Sequence, residues 1–242
     1  LRSSEDYIYK HVLNVAILSA IIAGQMGFPV GRINLLVKSA ILHDIGALKL
    51  QQLPDAEDLD DGTKEVVKKN TQETLARYGD LDEEVLRLIT QMQELYTRES
   101  DAEIPAAIKE SVNANILYVA DAYDRMTAMK SFEEPTSEVK AVRELLADEE
   151  RYNKKIVNAL IHGISILYPG VCVELSNGEK GLVITENEDN IFEPIVLDFR
   201  NNNLYDLSDP SVKQTVEIAD VMKTMDNRIK LDKSLLEEYQ AN

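Results

Sequence analysis

Hydrophobic positions in the first two thirds of the chain recur with the period of an α-helix. Apolar side chains surround almost the whole of residues 6–26, and Gly24, Gly27 and Pro29 end this stretch, which predicts a buried helix. Similar periodicity predicts further helices over residues 32–42, 64–78, 82–96, 111–129, 137–148 and 152–167. The first 167 residues are therefore predicted to be all-helical.

The period changes to alternation after residue 170. Residues 171–175 and 181–185 alternate apolar and polar positions around a turn at 176–179, which predicts a β-hairpin. Shorter strand patterns at 195–199 and 204–207 would complete a small antiparallel sheet. The fold class is thus mainly α, a helical bundle with a small C-terminal antiparallel sheet.

Three parts follow from these patterns. We predict a helical domain over residues 1–167, a small β subdomain completing it over 168–207, and an acidic helical tail over 208–242. With 242 residues, 44% of them hydrophobic and 29% charged, the chain has the composition of a soluble globular protein with a substantial core.

Charge and hydropathy limit the partners. A net charge of −17 argues against binding to nucleic acid polymers or anionic lipid surfaces. The longest apolar stretch, residues 12–23, contains Asn14 and Ser19 and is shorter than the roughly 20 residues of a membrane span. Cys172 is the single cysteine and cannot form an intrachain disulfide. Without a secretory signal pattern, we expect a cytoplasmic protein with no membrane segment in this chain.

Candidate chemistry centres on a histidine followed directly by an aspartate. His43 and Asp44 come at the end of a predicted helix, and both can reach one divalent ion if other helices supply further ligands. His11 and Asp121 are the candidates, because each lies on an otherwise apolar helix where burial is costly without a partner. A metal ion and a set of metal-free buried hydrogen bonds both satisfy this requirement. Two roles are equally open for Asp124, supporting a metal ligand and capping its helix face.

The order of these four residues resembles the signature of the HD superfamily, and the flanking segments resemble its HD-GYP branch. Residues 9–16 (YKHVLNVA) are similar to the opening helix of that branch. Residues 116–124 (ILYVADAYD) are similar to its ILxVADxYD segment, and 168–179 to its terminal strand unit. The resemblance extends in order from residue 6 to residue 199.

This resemblance implies an HD-type helical bundle whose metal centre hydrolyses the bacterial second messenger cyclic di-GMP. It implies one divalent transition metal of the Fe, Mn or Zn class at His11, His43, Asp44 and Asp121, with Asp44 catalytic if the centre is active. It also implies Lys130 as a cation facing the substrate phosphate. The other partners it suggests are an upstream sensor or receiver domain, a protein partner and a second copy of the chain.

Departures from the family pattern indicate a degenerate member. Ala47 stands where the family has the lysine of HDxGK, Asn70 where it has a ligand histidine, and Met92 and Gln93 where it has two more. The DGSGYP loop is replaced by residues 97–102, which contain neither glycine nor tyrosine. In the family pattern every missing ligand belongs to additional metal ions. The four retained residues are therefore consistent with a site for one metal ion, and equally with a buried polar cluster that holds the helices together without metal.

Three functions are consistent with this pattern. The first is a regulatory or binding domain with impaired or absent phosphodiesterase activity, and we prefer it because of the missing ligands. The second is an active mononuclear HD phosphohydrolase acting on cyclic di-GMP or another phosphoester. The third is a structural output domain in which any metal only stabilises the fold.

Overall fold

The computed structural model describes residues 4–50, 61–78, 81–96, 105–128, 135–187 and 189–222. These residues form two compact units. Of the described residues, those up to 136 and those from 141 to 164 belong to the first unit, and those from 137 to 140 and from 165 to 222 belong to the second. Nine α-helices, one 3-10 helix and five strands occur in the described ranges, which confirms the mainly α fold class with a small antiparallel sheet.

The first unit is a helical bundle. Its elements in chain order are α1 (Ser4–Gln25), α2 (Val30–Leu42), η1 (Ile45–Lys49), α3 (Asp61–Leu75), α4 (Glu83–Tyr96), α5 (Ala106–Lys109), α6 (Val112–Thr127), α7 (Glu138–Ala147, in this unit from residue 141) and α8 (Lys154–Ile164). Helix α1 packs against α2, α6 and α8, while α4 packs against α6, α2 and α3. Helices α1 and α6 are therefore central elements of the bundle.

Helix α6 explains how polar residues reach the interior. Ser111 caps its N-terminus by accepting a hydrogen bond from the backbone N–H of Ala114. All eleven residues from 114 to 124 are buried, so Asp121 and Asp124 lie inside the bundle with the apolar side chains. The helix thus carries two carboxylates into the core, where each requires a partner.

Helix α1 contains a segment, Tyr7–Gln25, whose length and apolar composition would suffice to cross a membrane; in the described part of the chain it is the one helix of this kind. Core helices of soluble proteins meet the same criterion. This helix packs against three others. A contact with α8 is especially close, because a Cβ on Gly163 would overlap the side chain of Ile21.

The second unit contains a five-stranded antiparallel sheet in the order β4-β3-β2-β1-β5. Its elements are β1 (Cys172–Leu175), β2 (Lys180–Thr185), β3 (Ile195–Asp198), β4 (Leu204–Asp206), α9 (Pro210–Lys213) and β5 (Ile218–Val221). The predicted hairpin is β1–β2, with Val173 opposite Gly181. The side chains of Val173, Val183, Val196 and Ile218 are fully buried and form part of this unit's core.

Strand β5 is not predicted by the sequence pattern. Residues 208–242 were expected to be helical, but the described residues 208–222 contain only the one-turn helix α9 and then β5. Strand β5 pairs with β1, placing Asp220 opposite Glu174. Four residues are too short for alternation to be recognised, and the pairing partner lies more than 40 residues earlier. Residues 223–242 lie outside the described ranges.

Candidate metal centre

Three helical elements bring the four predicted ligands together. Helix α1 supplies His11, the C-terminal end of α2 supplies His43 with Asp44 directly after it, and α6 supplies Asp121. One potential ligand atom from each residue lies within 4.8 Å of the others. Both histidines and Asp121 are almost completely buried.

The carboxylate of Asp121 is central to the cluster. Its Oδ1 lies 2.9 Å from Nε2 of His11 and 3.1 Å from Nε2 of His43. The carboxylate of Asp44 is more distant, with Oδ2 at 3.7 Å from Nε2 of His11 and Oδ1 at 3.8 Å from Nε2 of His43. Two imidazole nitrogens and two carboxylates therefore point to one small volume.

The turn that carries His43 and Asp44 is fixed by close packing against α3. A Cβ on Gly46 would overlap the carbonyl oxygen of Val67 and the backbone nitrogen and hydroxyl of Thr71. Glycine allows this approach, and the N–H of Gly46 donates to Oγ1 of Thr71 at 3.1 Å. Gly46, two residues after Asp44, thus permits the close contact with α3 that fixes the turn carrying His43 and Asp44.

Outer hydrogen bonds orient both imidazole rings. Nδ1 of His43 donates to the carbonyl oxygen of Ala40 at 2.6 Å, which directs Nε2 towards the cluster. Nδ1 of His11 donates to Oδ2 of Asp124 at 2.7 Å, and the amide of Asn14 donates to the other oxygen of Asp124 at 2.8 Å. Metal-binding histidines in proteins are usually oriented by such carbonyl and carboxylate partners.

Arg125 is a site residue that the sequence interpretation missed. Its Nη2 donates to Oδ2 of Asp44 at 2.7 Å, and its Nε donates to Oδ2 of Asp121 at 3.0 Å. The guanidinium therefore bridges two of the four potential ligands. Its position four residues after Asp121 on one helix is a signal that could have identified the second contact.

The cluster's electrostatics follow from burial and this arginine. Burial raises the pKa of Asp44, but His43 and Arg125 outweigh that effect, so the pKa is lowered. For Asp121, burial is again the largest influence and raises the pKa. Arg125 and the hydrogen bonds from both histidines outweigh it and hold the pKa well below its usual range. Both carboxylates are therefore ionised at neutral pH.

His11 is affected in the opposite direction. Burial lowers its pKa, as does Arg125, yet hydrogen bonds to Asp121 and Asp124 raise the pKa to about 9 overall. Tyr7 stacks on the His11 ring with centroids 5.8 Å apart, and burial raises the pKa of the Tyr7 hydroxyl to about 12. When both nitrogens carry a proton, Nδ1 of His11 donates to Asp124 and Nε2 donates to Asp121.

The four residues that differ from the family pattern, at positions 47, 70, 92 and 93, have structural contacts. Nε2 of Gln93 donates to the carbonyl oxygen of His43 at 3.1 Å, and Nδ2 of Asn70 donates weakly to that of Gly46 at 3.4 Å. Met92 is buried, and Ala47 packs in a small apolar cluster with neighbours from α1 and α3. These side chains therefore support the turn and core around the cluster.

Two predicted substrate features cannot be placed. Lys130 and residues 97–102 lie outside the described residues. In the described part of α3 and α4, Nζ of Lys68 forms an ion pair with a carboxylate oxygen of Glu94 at 2.7 Å.

The donor set fits a divalent transition metal. Imidazole and carboxylate ligands suit iron, manganese and zinc, and both histidines have the outer partners expected of ligands. A helical bundle with such a His-Asp cluster at its centre is the arrangement that the resemblance to the HD superfamily implies. The cluster could hold a metal ion, and its composition does not define which one.

Comparisons with known proteins agree with this class. The model of the HD domain family matches residues 8–126, a range that includes all four potential ligands. The chain is 21% identical over 201 residues to the cyclic di-GMP phosphodiesterase PA4108 of Pseudomonas aeruginosa, covering 81% of this chain and 49% of that protein. It is 24% identical over 225 residues to the cyclic di-GMP phosphodiesterase PdeB of Borreliella burgdorferi, covering 88% and 58%.

These matches support an HD-superfamily domain in the helical part of the chain. The chain spans about half the length of the curated relatives it matches.

Proposed function

We propose that this chain is a degenerate HD-GYP-like domain of bacterial cyclic di-GMP signalling, with one metal site and impaired or absent phosphodiesterase activity. Its role is then regulatory, exerted by binding the nucleotide or a protein partner. The observation that carries the proposal is that ligand atoms of His11, His43, Asp44 and Asp121 lie within 4.8 Å of one another. Positions 70, 92 and 93, where the family pattern has further ligand histidines, hold none. Similarity to two proteins named cyclic di-GMP phosphodiesterases supports the nucleotide class.

The residues of the cluster have distinct tasks in this proposal. The two Nε2 atoms and the carboxylates of Asp44 and Asp121 would hold the ion, and the carboxylate of Asp124 and the Ala40 carbonyl orient the two rings. A divalent ion held there supplies Lewis-acid polarisation of a phosphoryl oxygen. Asp44 is the more accessible of the two carboxylates, with a side chain 14% exposed, so it is the one that can meet a substrate.

Impaired turnover follows from what surrounds the site. Phosphodiester hydrolysis gains from several cations that stabilise charge on both the attacking and the leaving oxygen. Ala47 offers a methyl group, and Gln93 points an amide at the His43 carbonyl. One metal ion, rather than several, would then stabilise this charge, in a chain with a net charge of −17.

A specific observation favours a second candidate, an active mononuclear phosphohydrolase acting on cyclic di-GMP or another phosphoester. All four members of the single-metal set are present and near one another, and Asp44 is partly exposed. Under either candidate we expect Lys130 to face substrate phosphate. An upstream sensor or receiver domain and a second copy of the chain remain expected partners.

The two candidates are separated by measuring binding and hydrolysis of cyclic di-GMP in parallel, with added Mn²⁺ or Fe²⁺. Wild-type protein is compared with Asp121→Asn and with the control Asp148→Asn, whose half-exposed side chain lies outside the cluster, after circular dichroism confirms folding. For wild type we expect heat of binding without enzyme-like turnover. The heat of binding should be reduced in Asp121→Asn and unchanged in the control. Turnover lost in Asp121→Asn would support the second candidate. Neither binding nor turnover of cyclic di-GMP by wild type would rule out this nucleotide for both candidates and leave only a protein partner or another phosphoester.

A further inference from the structure

The interaction of Arg125 with the cluster has a consequence for metal binding. The guanidinium donates to Oδ2 of Asp44 and to Oδ2 of Asp121. Oδ1 of Asp121 faces both imidazoles, and Oδ2 of Asp44 also lies 3.7 Å from Nε2 of His11. The arginine side chain is about one fifth exposed, and that of Asp121 is fully buried. A fixed positive charge therefore lies directly against two of the four potential metal ligands.

We propose that Arg125 is a resident cation of this centre, which offsets part of the negative charge of Asp44 and Asp121 when no metal ion is bound and weakens the binding of a divalent ion to the same carboxylates. The inference rests on the proposed metal site. It assigns to one residue of this chain the task of setting how tightly the site holds metal.

The charges explain the metal-free state first. Two ionised carboxylates near one another in a helical core repel each other and are strongly destabilising without a partner. A planar guanidinium can donate to both at once, in a fork that a lysine ammonium cannot reproduce. The bundle can therefore fold around the cluster without an ion, because the arginine supplies part of the missing positive charge.

The same contacts oppose metal binding. An ion held by Asp44 and Asp121 would lie within a few ångströms of the guanidinium, and like charges at such distances in a partly buried site repel strongly. The arginine also hydrogen-bonds the lone pairs of both carboxylates, which reduces their capacity to donate to a metal. Both effects act in the same direction and lower metal affinity.

The opposite expectation comes from preorganisation. If Arg125 served mainly to hold the carboxylates in the geometry that a metal requires, its removal would lower metal affinity rather than raise it. The two accounts therefore predict effects of opposite sign on the same measured quantity.

The test is a titration of the chelator-treated full chain with Mn²⁺, followed by calorimetry, for wild type, Arg125→Gln and Arg125→Lys. Arg87→Gln is the matched control, because Arg87 is exposed and pairs with Glu84 on the surface of α4. We expect Arg125→Gln to bind Mn²⁺ more tightly by on the order of tenfold. Arg125→Lys, which keeps the charge but cannot donate to both carboxylates at once, should fall between wild type and Arg125→Gln. Arg87→Gln should be unchanged.

Thermal stability in the presence and absence of Mn²⁺ provides a second test. In excess chelator, the melting temperature of Arg125→Gln should fall by roughly 5 °C or more, and saturating Mn²⁺ should restore it. Equal or weaker Mn²⁺ binding by Arg125→Gln would overturn the inference while leaving the metal site intact. Absence of Mn²⁺ binding in both wild type and Arg125→Gln would instead overturn the proposed metal site, and the competition with it.

Discussion

Nδ1 of His11 and Oδ2 of Asp124 lie 2.7 Å apart in the interior of the helical unit, joining α1 to α6 across 113 residues of sequence. The contact fixes the ring so that Nε2 points to Asp121. Asp124 therefore acts on the cluster through His11.

Replacing this carboxylate should weaken metal binding. For Asp124→Asn we expect the Mn²⁺ affinity to fall by about 10- to 100-fold, because the imidazole loses an anionic partner that raises its basicity and fixes its orientation. Calorimetric titration measures the change. Asn14→Ala, which removes only a donor to Asp124, should have a smaller effect. An affinity unchanged in Asp124→Asn would mean that the contact serves folding alone.

Gly46 should be indispensable for stability. Gly46→Ala should lower the free energy of unfolding by about 1–3 kcal/mol or more, since the new methyl group meets backbone atoms of α3 that cannot yield easily. Urea denaturation in chelator separates this loss from metal effects. Gly24→Ala, on α1 with no atom near its would-be Cβ, should be neutral or stabilising by about 0.5–1 kcal/mol. Equal results for the two variants would disprove the close approach.

Gln93 should support the His43 turn. In Gln93→Leu, the buried carbonyl oxygen of His43 loses a donor, so we expect a loss of about 1–2 kcal/mol in the free energy of unfolding. Chemical denaturation of Gln93→Leu beside the exposed control Gln72→Leu tests this. If both variants were as stable as wild type, the amide of Gln93 would have no structural role.

Strand β5 should be an integral part of the second unit. Ile218 is fully buried, so Ile218→Ala should cost about 2–5 kcal/mol. Leu204, which is 44% exposed in the edge strand β4, provides the control Leu204→Ala with a much smaller expected loss. Hydrogen exchange of β1 amides, which pair with β5, should accelerate in Ile218→Ala and stay slow in the control. Unchanged exchange in Ile218→Ala would contradict the pairing.

Periodicity predicted most of the fold, because helices and hairpins are specified by nearby residues. The expected helix over 6–26 is α1, Ser4–Gln25, and the expected hairpin is β1–β2. Strand β5 could not be predicted in this way, since its four residues obtain their structure from a distant partner, β1. Tertiary pairing, rather than local propensity, determines that segment.

The cluster was predicted as a set of residues but not as a geometry. The burial cost of His11 and Asp121 on apolar helices implied partners, and the structure brings both to His43 and Asp44. Arg125 was overlooked because an arginine near a helix end is ordinarily solvated, and its contact to Asp44 spans 81 residues. The structural contact of Gln93 with the His43 carbonyl likewise depends on tertiary packing.

Metal content tests the central claim most directly. Protein purified without chelator and analysed by elemental mass spectrometry should contain one equivalent of a divalent transition metal per wild-type chain. The metal should be lost in His43→Ala and retained in His162→Ala, whose exposed histidine lies outside the cluster. A wild type that stays metal-free even after incubation with Mn²⁺, Fe²⁺ or Zn²⁺, or a His43→Ala variant that keeps its full equivalent, would contradict a metal site at this cluster.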